Sequence, residues 1–532
     1  ISSADGAHVL DVDPGRDTNR TVVTFVAGID RVVEAAFRGM ARAAELIDMS
    51  KHRGEHPRMG ATDVCPFVPL GTATMDDCVA LARMLGERVA RELGIPVYLY
   101  EYAAANEDRR SLAAIRAGEY EGLADKLRDP RWKPDFGEAR MNARSGATVI
   151  GARKFLIAYN VNLNTRDRKK AIDIALAIRE NGRKKKDEHG RVLRDQNGDF
   201  IYEPGTLKAC KAVGWYIEEY RRAQVSINLT DFDVTPPHVA FEEARRQAEM
   251  RGLRATGSEL VGLIPLAAMT HAGRYYLELQ GASAGVPESQ LVETAIQSLG
   301  LRELGGFDPM QKIIEYRVAP DAPFASSSLR DFADRTSEAT AVPGGGSVAA
   351  LCGAMGAALA AMVGNLTHGK KGYEGVSKDM SDLAVEAQSI KAEFLRAVDD
   401  DARAFDAVMA ANRLPKGTHD EQAKRDAAIQ DATRRAIDVP LSVMRACARA
   451  LPLVERVARD GNRSSASDAG VAALCLQTAA HGAYLNVLIN LPGLADREAA
   501  DRMRGEARAL QDKVAAAAPR VAEGVEESLA GE

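Results

Sequence analysis

Two periodicities divide the chain. As far as about Val318, short β-rich runs alternate with segments whose apolar residues recur at helical spacing, and beyond it the period of two is lost. HVLDVD (8–13) and TVVTFVA (21–27) read as strands separated by a Pro, Gly, Asp and Asn turn cluster, and VVEAAFRGMARAAELID (32–48) switches to helical spacing. A second helix over 74–93 stops at Gly94, and the strand PVYLYEY (96–102) follows. KFLIAYNVNL (154–163) is another strand, leading into a charged helix that starts near Asp167. The pattern then restarts with VGWYI, QVSINLTDFDV (224–234), a helix from Pro237 to Arg251, ELVGLIP (259–265), two more helices and a closing strand IIEYRV (313–318). The polar, turn-rich stretch 183–200 between the halves is expected to be a solvated hairpin or loop.

The predicted architecture is multi-domain, with two α/β (α+β sandwich) subdomains in the N-terminal half and an all-α helical bundle in the C-terminal half. The boundaries read as 1–155, 156–318, a Pro- and small-residue linker at 319–327, and a helical domain over 328–532. Gly353, Gly356, Ala357 and Ala361 would let helices approach closely, inside the bundle or against a second subunit. No charge falls between Glu338 and Lys370, yet Pro343 and Gly344 to Gly346 interrupt that span, so a buried helix is expected there instead of a membrane crossing.

The 532 residues are enough for several cores, and 70 Lys and Arg against 75 Asp and Glu leave a net charge of −5. That balance argues against a nucleic-acid or anionic-membrane partner and for small-molecule substrates. The N-terminus lacks a basic region leading into an apolar stretch, so it does not read as a secretory signal. The six dispersed cysteines form no CxxC pair, which suits a reducing compartment, and the expected location is cytoplasmic.

The densest chemistry is in MSKHRGEHPRMGATDVCPFVP (49–69). His52 and His56 form an HxxxH pair, but Pro57 adjoins it and no carboxylate-bearing helix follows, so no metal is expected. An imidazole held neutral can instead accept and return a proton in group transfer. HRGEHPRMGATDVCPFVP resembles the signature of glutamate formimidoyltransferase, and RRSLAAIRAGEYEGL (109–123), WKPDFG (132–137), GARKFLIAYNVNL (151–163), LVGLIPL (260–266) and IIEYRV continue the resemblance in order. PGGGSVAALCGAMGAALAAMVGNL (343–366) and GAYLNVLINL (482–491) resemble the formimidoyltetrahydrofolate cyclodeaminase domain. The whole chain therefore resembles the bifunctional formimidoyltransferase-cyclodeaminases of histidine breakdown. The resemblance implies transfer of formimidoyl from N-formimidoyl-L-glutamate to tetrahydrofolate, then ring closure to 5,10-methenyltetrahydrofolate with release of ammonia. The alternatives are a folate-binding protein retaining only the cyclodeaminase, or a methenyltetrahydrofolate cyclohydrolase.

The resemblance places the catalytic histidine at His56 and the folate site along Gly137, Glu138, Ala139, Arg140, Met141, Asn142, Ala143, Arg144, Ser145 and Gly146. It also aligns the cyclodeaminase's catalytic aspartate with Asp401, with Asp399 and Asp406 as competitors. Asp13 at a strand end is a candidate for orienting the histidine, and Arg58, Arg153 and Lys154 could pair the carboxylates of formimidoylglutamate. Ser347 reads as the N-cap of the long helix, where Gly345, Gly346 and Ser347 could receive an anionic part of folate. One carboxylate of the run Asp399, Asp400, Asp401 is expected to point inward, because three successive positions cannot share the solvent face. The resemblance implies tetrahydrofolate as the ligand, preferably with a polyglutamate tail, and a ring-like homo-oligomer of dimers (an octamer). Family members usually open with a further strand and a Pro-Asn-Phe-Ser-Glu-Gly segment, whereas this sequence starts just before HVLDVD. An edge strand and part of the substrate pocket are therefore expected to be missing, which bears on transferase competence.

Overall fold

The computed structural model describes residues 1–15, 19–54 and 57–531. Packing separates two compact units, residues 1–271 with 296–319, and residues 272–295 with 320–532. The stretch 272–295 thus packs with the helical unit, ahead of the compositional break at Val318.

The first unit opens with an antiparallel ribbon of β1 (His8–Gly15) and β2 (Arg20–Val26), followed by α1 (Val32–Leu46) and β3 (Val64–Phe67). Next come α2 (Met75–Leu93), β4 (Val97–Glu101), two short helices α3 (Leu112–Arg116) and α4 (Leu123–Lys126), and β5 (Thr148–Ala152). Thr74 and Asp77 cap the start of α2 reciprocally, and Gly94 ends it at a left-handed φ of 62°. β3 and β4 flank β5 in parallel, and β5 is buried throughout. Met40, Leu85, Val97 and Ile150 build the core on one face of this sheet, and Tyr98, Val149, Ile115 and Leu123 build it on the other.

A second, antiparallel sheet follows from β6 (Ile157–Leu163), α5 (Arg168–Ile178), the small hairpin β7 (Arg183–Lys184) and β8 (Tyr202–Glu203), β9 (Cys210–Ile217), β10 (Arg222–Leu229), α6 (Pro237–Glu249) and β11 (Ala255–Val261). Its order is β11-β6-β10-β9. α5 and α6 pack on one face, burying Tyr159, Val161, Val225 and Ile227. In the 183–200 stretch Lys185 N–H donates to the Ile201 carbonyl (2.8 Å), and Asp187 and Asp195 close two tight turns.

Two strand expectations are corrected. Residues 224–234 leave the sheet at Leu229, because the Asp231 carbonyl accepts from the Val234 and Thr235 N–H groups in a turn. IIEYRV makes one bridge, Ile313 to Ile264, and then winds into α10 (Ile314–Val318), after the short α9 (Pro309–Lys312). The helical turn lets the Glu315 carboxylate cap the Leu266 N–H (2.7 Å) at the start of α7 (Leu266–Leu279), which α8 (Glu288–Leu299) follows in the chain.

The second unit is the expected bundle: α11 (Leu329–Ser337), α12 (Gly345–Thr367), α13 (Ser377–Asn412), α14 (His419–Asp460), α15 (Ala466–Asn490) and α16 (Arg497–Ala530). α12 lies against α13 and α15. A side chain at Gly353 would reach within 2.5 Å of the Phe394 ring, so the small residues of α12 are used inside the bundle. α12 and the 463–493 stretch are each long and apolar enough to cross a membrane, and 61% and 39% of their apolar windows are buried in the protein.

Candidate active sites

In the first unit, the loop after α1 and the segment 137–146 are clasped together. Met49 N–H donates to the Arg144 carbonyl (2.9 Å), Ala61 N–H to Ser145 (2.9 Å), and Ala147 N–H to Met59 (3.1 Å). Gly60 and Gly146 meet backbone to backbone: a Cβ on Gly146, whose φ is +69°, would lie 2.0 Å from the Met59 oxygen. Asn142 shapes the segment by accepting from Ser145 N–H (3.0 Å), and Tyr120 donates to the Ala143 carbonyl. Gly137, Glu138, Ala139, Arg140, Ala143 and Arg144 stay exposed, Met141 and Asn142 are half-buried, and Ser145 and Gly146 are buried.

Arg58 holds the base of the same loop. Its buried guanidinium donates to both oxygens of Glu121 (2.7 Å each), to Glu119 (3.1 Å) and to the His52 carbonyl (3.3 Å). Glu119 takes a φ of +53°, so the two carboxylates of the Glu-Tyr-Glu stretch converge on one cation. The Arg58 charge holds the Glu121 carboxyl at a pKa of about 2. His52 presents Nε2 to the Asn19 carbonyl (2.8 Å) and Nδ1 to Arg58 Nε (3.4 Å), which requires the Nε2–H tautomer. His56 lies outside the described residues.

The other candidates of this unit are dispersed. Asp13 is exposed on β1 opposite Val22, with no hydrogen bond to the described part of the loop. Lys154 is paired with Asp231 (2.8 Å) and Asp233 (3.1 Å), and Arg153 donates to the Lys154 carbonyl (2.8 Å). Sequence reasoning missed Glu119 and Glu121, whose signal was two acids flanking one aromatic residue, and the Asp63 to Arg116 ion pair at the clasp.

In the second unit, the acidic run of α13 resolves into three roles. Asp399 is 1% exposed, and its two oxygens accept from Phe324 and Ala325 N–H (3.0 Å each). Asp400 turns outward to Arg403 (2.7 Å), and Asp406 is exposed. Asp401 faces the first turn of α12, where its Oδ2 accepts from Ser347 N–H (2.9 Å) and lies 3.1 Å from Ser347 Oγ. Two carboxylates therefore point inward instead of one: Asp399 and Asp401 are about 200° apart around the helix and meet different neighbours.

Ser347 is corrected as well. The N-cap is Gly344 in extended conformation, and Ser347 sits inside the helix with Oγ 2.8 Å from the Val398 carbonyl. The Asp401 carboxylate itself meets an N–H of that first turn, which removes the need for a capping side chain. A Cβ on Gly346 would lie 2.1 Å from Asp401 Oδ1, so only glycine leaves room for the carboxylate. Burial pushes the Asp401 carboxyl above the usual aspartate range, against the opposing hydrogen bonds from Ser347. A carboxyl shifted upward in this way is suited to take up a proton and return it. Among the described residues no group of three or more His, Cys, Asp or Glu is placed to hold a metal ion.

Models of protein families match nearly the whole chain: the N-terminal subdomain of the formiminotransferase domain over residues 1–153, the formiminotransferase domain over 158–319, and formiminotransferase-cyclodeaminase over 328–509. The formimidoyltransferase-cyclodeaminase of Mus musculus is 45% identical over 93% of this chain and 89% of that protein. The glutamate formimidoyltransferase of Thermoplasma acidophilum is 45% identical over 54% of this chain and 87% of its own length. The methenyltetrahydrofolate cyclohydrolase of Methylorubrum extorquens is 40% identical over 38% of this chain and 98% of its own length. By the matches to both halves, and by the extent of identity across them, the chain belongs to the formimidoyltransferase-cyclodeaminase family.

Proposed function

We propose that the two sites divide the two-step folate chemistry of this enzyme family between them. In the first unit, N5 of tetrahydrofolate attacks the formimidoyl carbon of N-formimidoyl-L-glutamate, and the bond from that carbon to the glutamate nitrogen breaks. His56 takes the N5 proton and gives it to the departing glutamate nitrogen, an assignment supported by the family resemblance of its loop. The clasped segment Gly137 to Gly146 beside that loop is the folate-binding edge. In the second unit, N10 attacks the formimidoyl carbon carried on N5. Asp401 receives the N10 proton and protonates the amino group that leaves as ammonia.

The observation that carries this reading is the Asp401 carboxylate seated on Gly346 and Ser347 in an environment that raises its pKa. Asp401→Asn keeps the shape and removes the ionisable proton, so ammonia release from supplied 5-formimidoyltetrahydrofolate should fall by roughly 10²–10⁴ while transfer continues. His56→Ala should give the converse result. A larger loss from Asp399→Asn or Asp406→Asn in a folded protein would reject Asp401.

The folate works best with a polyglutamate tail in this reading, because a tethered tail keeps the intermediate near the protein between the two steps. The enzyme is cytoplasmic, in keeping with its free cysteines. It assembles as an octameric ring of dimers. Large apolar side chains left exposed at helical spacing, Met355, Met362 and Leu366 on α12 with Leu474, Leu485 and Ile489 on α15, supply the surface that a second copy would bury.

A further inference from the structure

The antiparallel sheet of the first unit has one face covered by α5 and α6. Its other face mixes apolar side chains such as Val213 and Trp215 with polar ones, and Asn160, Asn162 and Gln224 are buried there at 4% exposure or less. Carboxamides on a buried sheet face are stable only when their hydrogen bonds are met. Here Gln224 donates to Asn162 (2.7 Å), and Asn162 donates to Glu303 (2.7 Å), whose charge is paired with Arg222. Glu259 lies in the same network, half-buried and opposite Asn160 in the ladder, but on different terms. It accepts from Asn160, Gln224 and Tyr220 at 3.2 Å each, and all three donors are neutral. No Lys or Arg among the described residues pairs with it, the nearby Arg222 being committed to Glu303. Burial, with the Glu259 charge adding to it, pushes the Tyr220 phenol up. A half-buried carboxylate held only by neutral donors is short of a cation.

We infer that Glu259 binds the formimidoyl group of the donor substrate in its protonated, amidinium form. The inference rests on the transfer reaction assigned to this unit. An amidine is a strong base, cationic at neutral pH, and its N–H groups can meet the two oxygens of one carboxylate in parallel. The positive charge also makes the central carbon the better electrophile for N5. The three neutral donors aim Glu259 without neutralising it, so its charge is spent on the ligand. A neutral acyl group of the same shape gains nothing from this carboxylate and leaves it unpaired.

Binding of N-formimidoyl-L-glutamate and of neutral N-formyl-L-glutamate, measured calorimetrically on the full chain, tests this. The native protein should prefer the amidinium ligand by about 30-fold or more, and Glu259→Gln should reduce that preference to about threefold or less. Glu259→Asp, which keeps the charge, should retain most of the preference, as should Tyr220→Phe, which removes only a neutral donor. Ammonia release from supplied 5-formimidoyltetrahydrofolate should be unchanged in all three. An undiminished preference in folded Glu259→Gln would overturn the inference, as would a native protein that does not discriminate the two ligands. Failure of the native protein to form 5-formimidoyltetrahydrofolate at all would overturn the transfer assignment instead.

Discussion

Single side chains decide both candidate sites through burial and pairing. Gly346 is the clearest case, since one methyl group there would occupy the space of Asp401 Oδ1. Gly346→Ala should therefore abolish most ammonia release, by about 10²-fold or more as for a lost acid, with formimidoyl transfer intact; separate assays of the two half-reactions check it. Because burial raises the Asp401 pKa, the folded protein holds that proton more tightly than the unfolded chain. The stability this contributes is full below the ordinary aspartate range and is lost as pH rises through the raised value. The Arg58 cluster has the opposite sign. Glu121 titrates near 2 in the folded protein, below its unfolded value, so its contribution is present above the ordinary glutamate range and disappears as pH falls toward 2. Its carboxylate is largely exposed, which limits the effect to about 1 kcal/mol by solvent screening. Thermal melts of Glu121→Gln and the native protein should differ at pH 7 and converge near pH 2.

At the scale of elements, the sites are made where two segments distant in sequence meet at glycine. The loop after α1 and the segment 137–146 touch at Gly60 and Gly146 without any side chain between them. Gly146→Ala would place a Cβ 2.0 Å from the Met59 oxygen and force a left-handed residue, at a cost of about 1–2 kcal/mol for the backbone alone. The clasp should open, and the KM for tetrahydrofolate in the transfer step should rise while deamination of supplied intermediate is unaffected. Equal KM values would show that the clasp does not shape the folate edge. α12 and α13 use the same device, since Gly346 admits Asp401 and Gly353 admits the Phe394 ring. The helix pair that buries the core therefore also orients the acid.

At the scale of the whole molecule, the apolar surface left over is informative. The small residues Gly353, Gly356, Ala357 and Ala361 of α12 are buried by packing within the chain. What remains outside is large: Met362 is 37% exposed and Ile489 76% exposed. On the proposed ring of dimers, joint replacement by lysine, Met362→Lys with Ile489→Lys, should give smaller species in sedimentation velocity without unfolding the bundle. An unchanged sedimentation profile would reject this face as the contact of the proposed ring.

Local pattern was enough for much of this protein. The alternation of strand and helix periods, the Gly94 stop, the Asp167 start and the loss of period two after Val318 follow from forces acting over a few residues, and they predicted two sheet-bearing subdomains and a bundle. Motif order was enough for the family. Tertiary structure decided which polar groups meet. Ser347 lies inside its helix because a carboxylate 54 positions away supplies the cap, and Arg58 is clamped by acids 61 and 63 positions away. Asp399 and Asp401, two residues apart, part company because a helix turns them about 200° and each finds a different neighbour. Glu259 could not be singled out from a strand pattern of alternating residues, since its lack of a cation among the described residues depends on Arg222 being taken by Glu303. Periodicity reports which face a residue occupies, but the charge balance of that face is set by segments that only folding brings together.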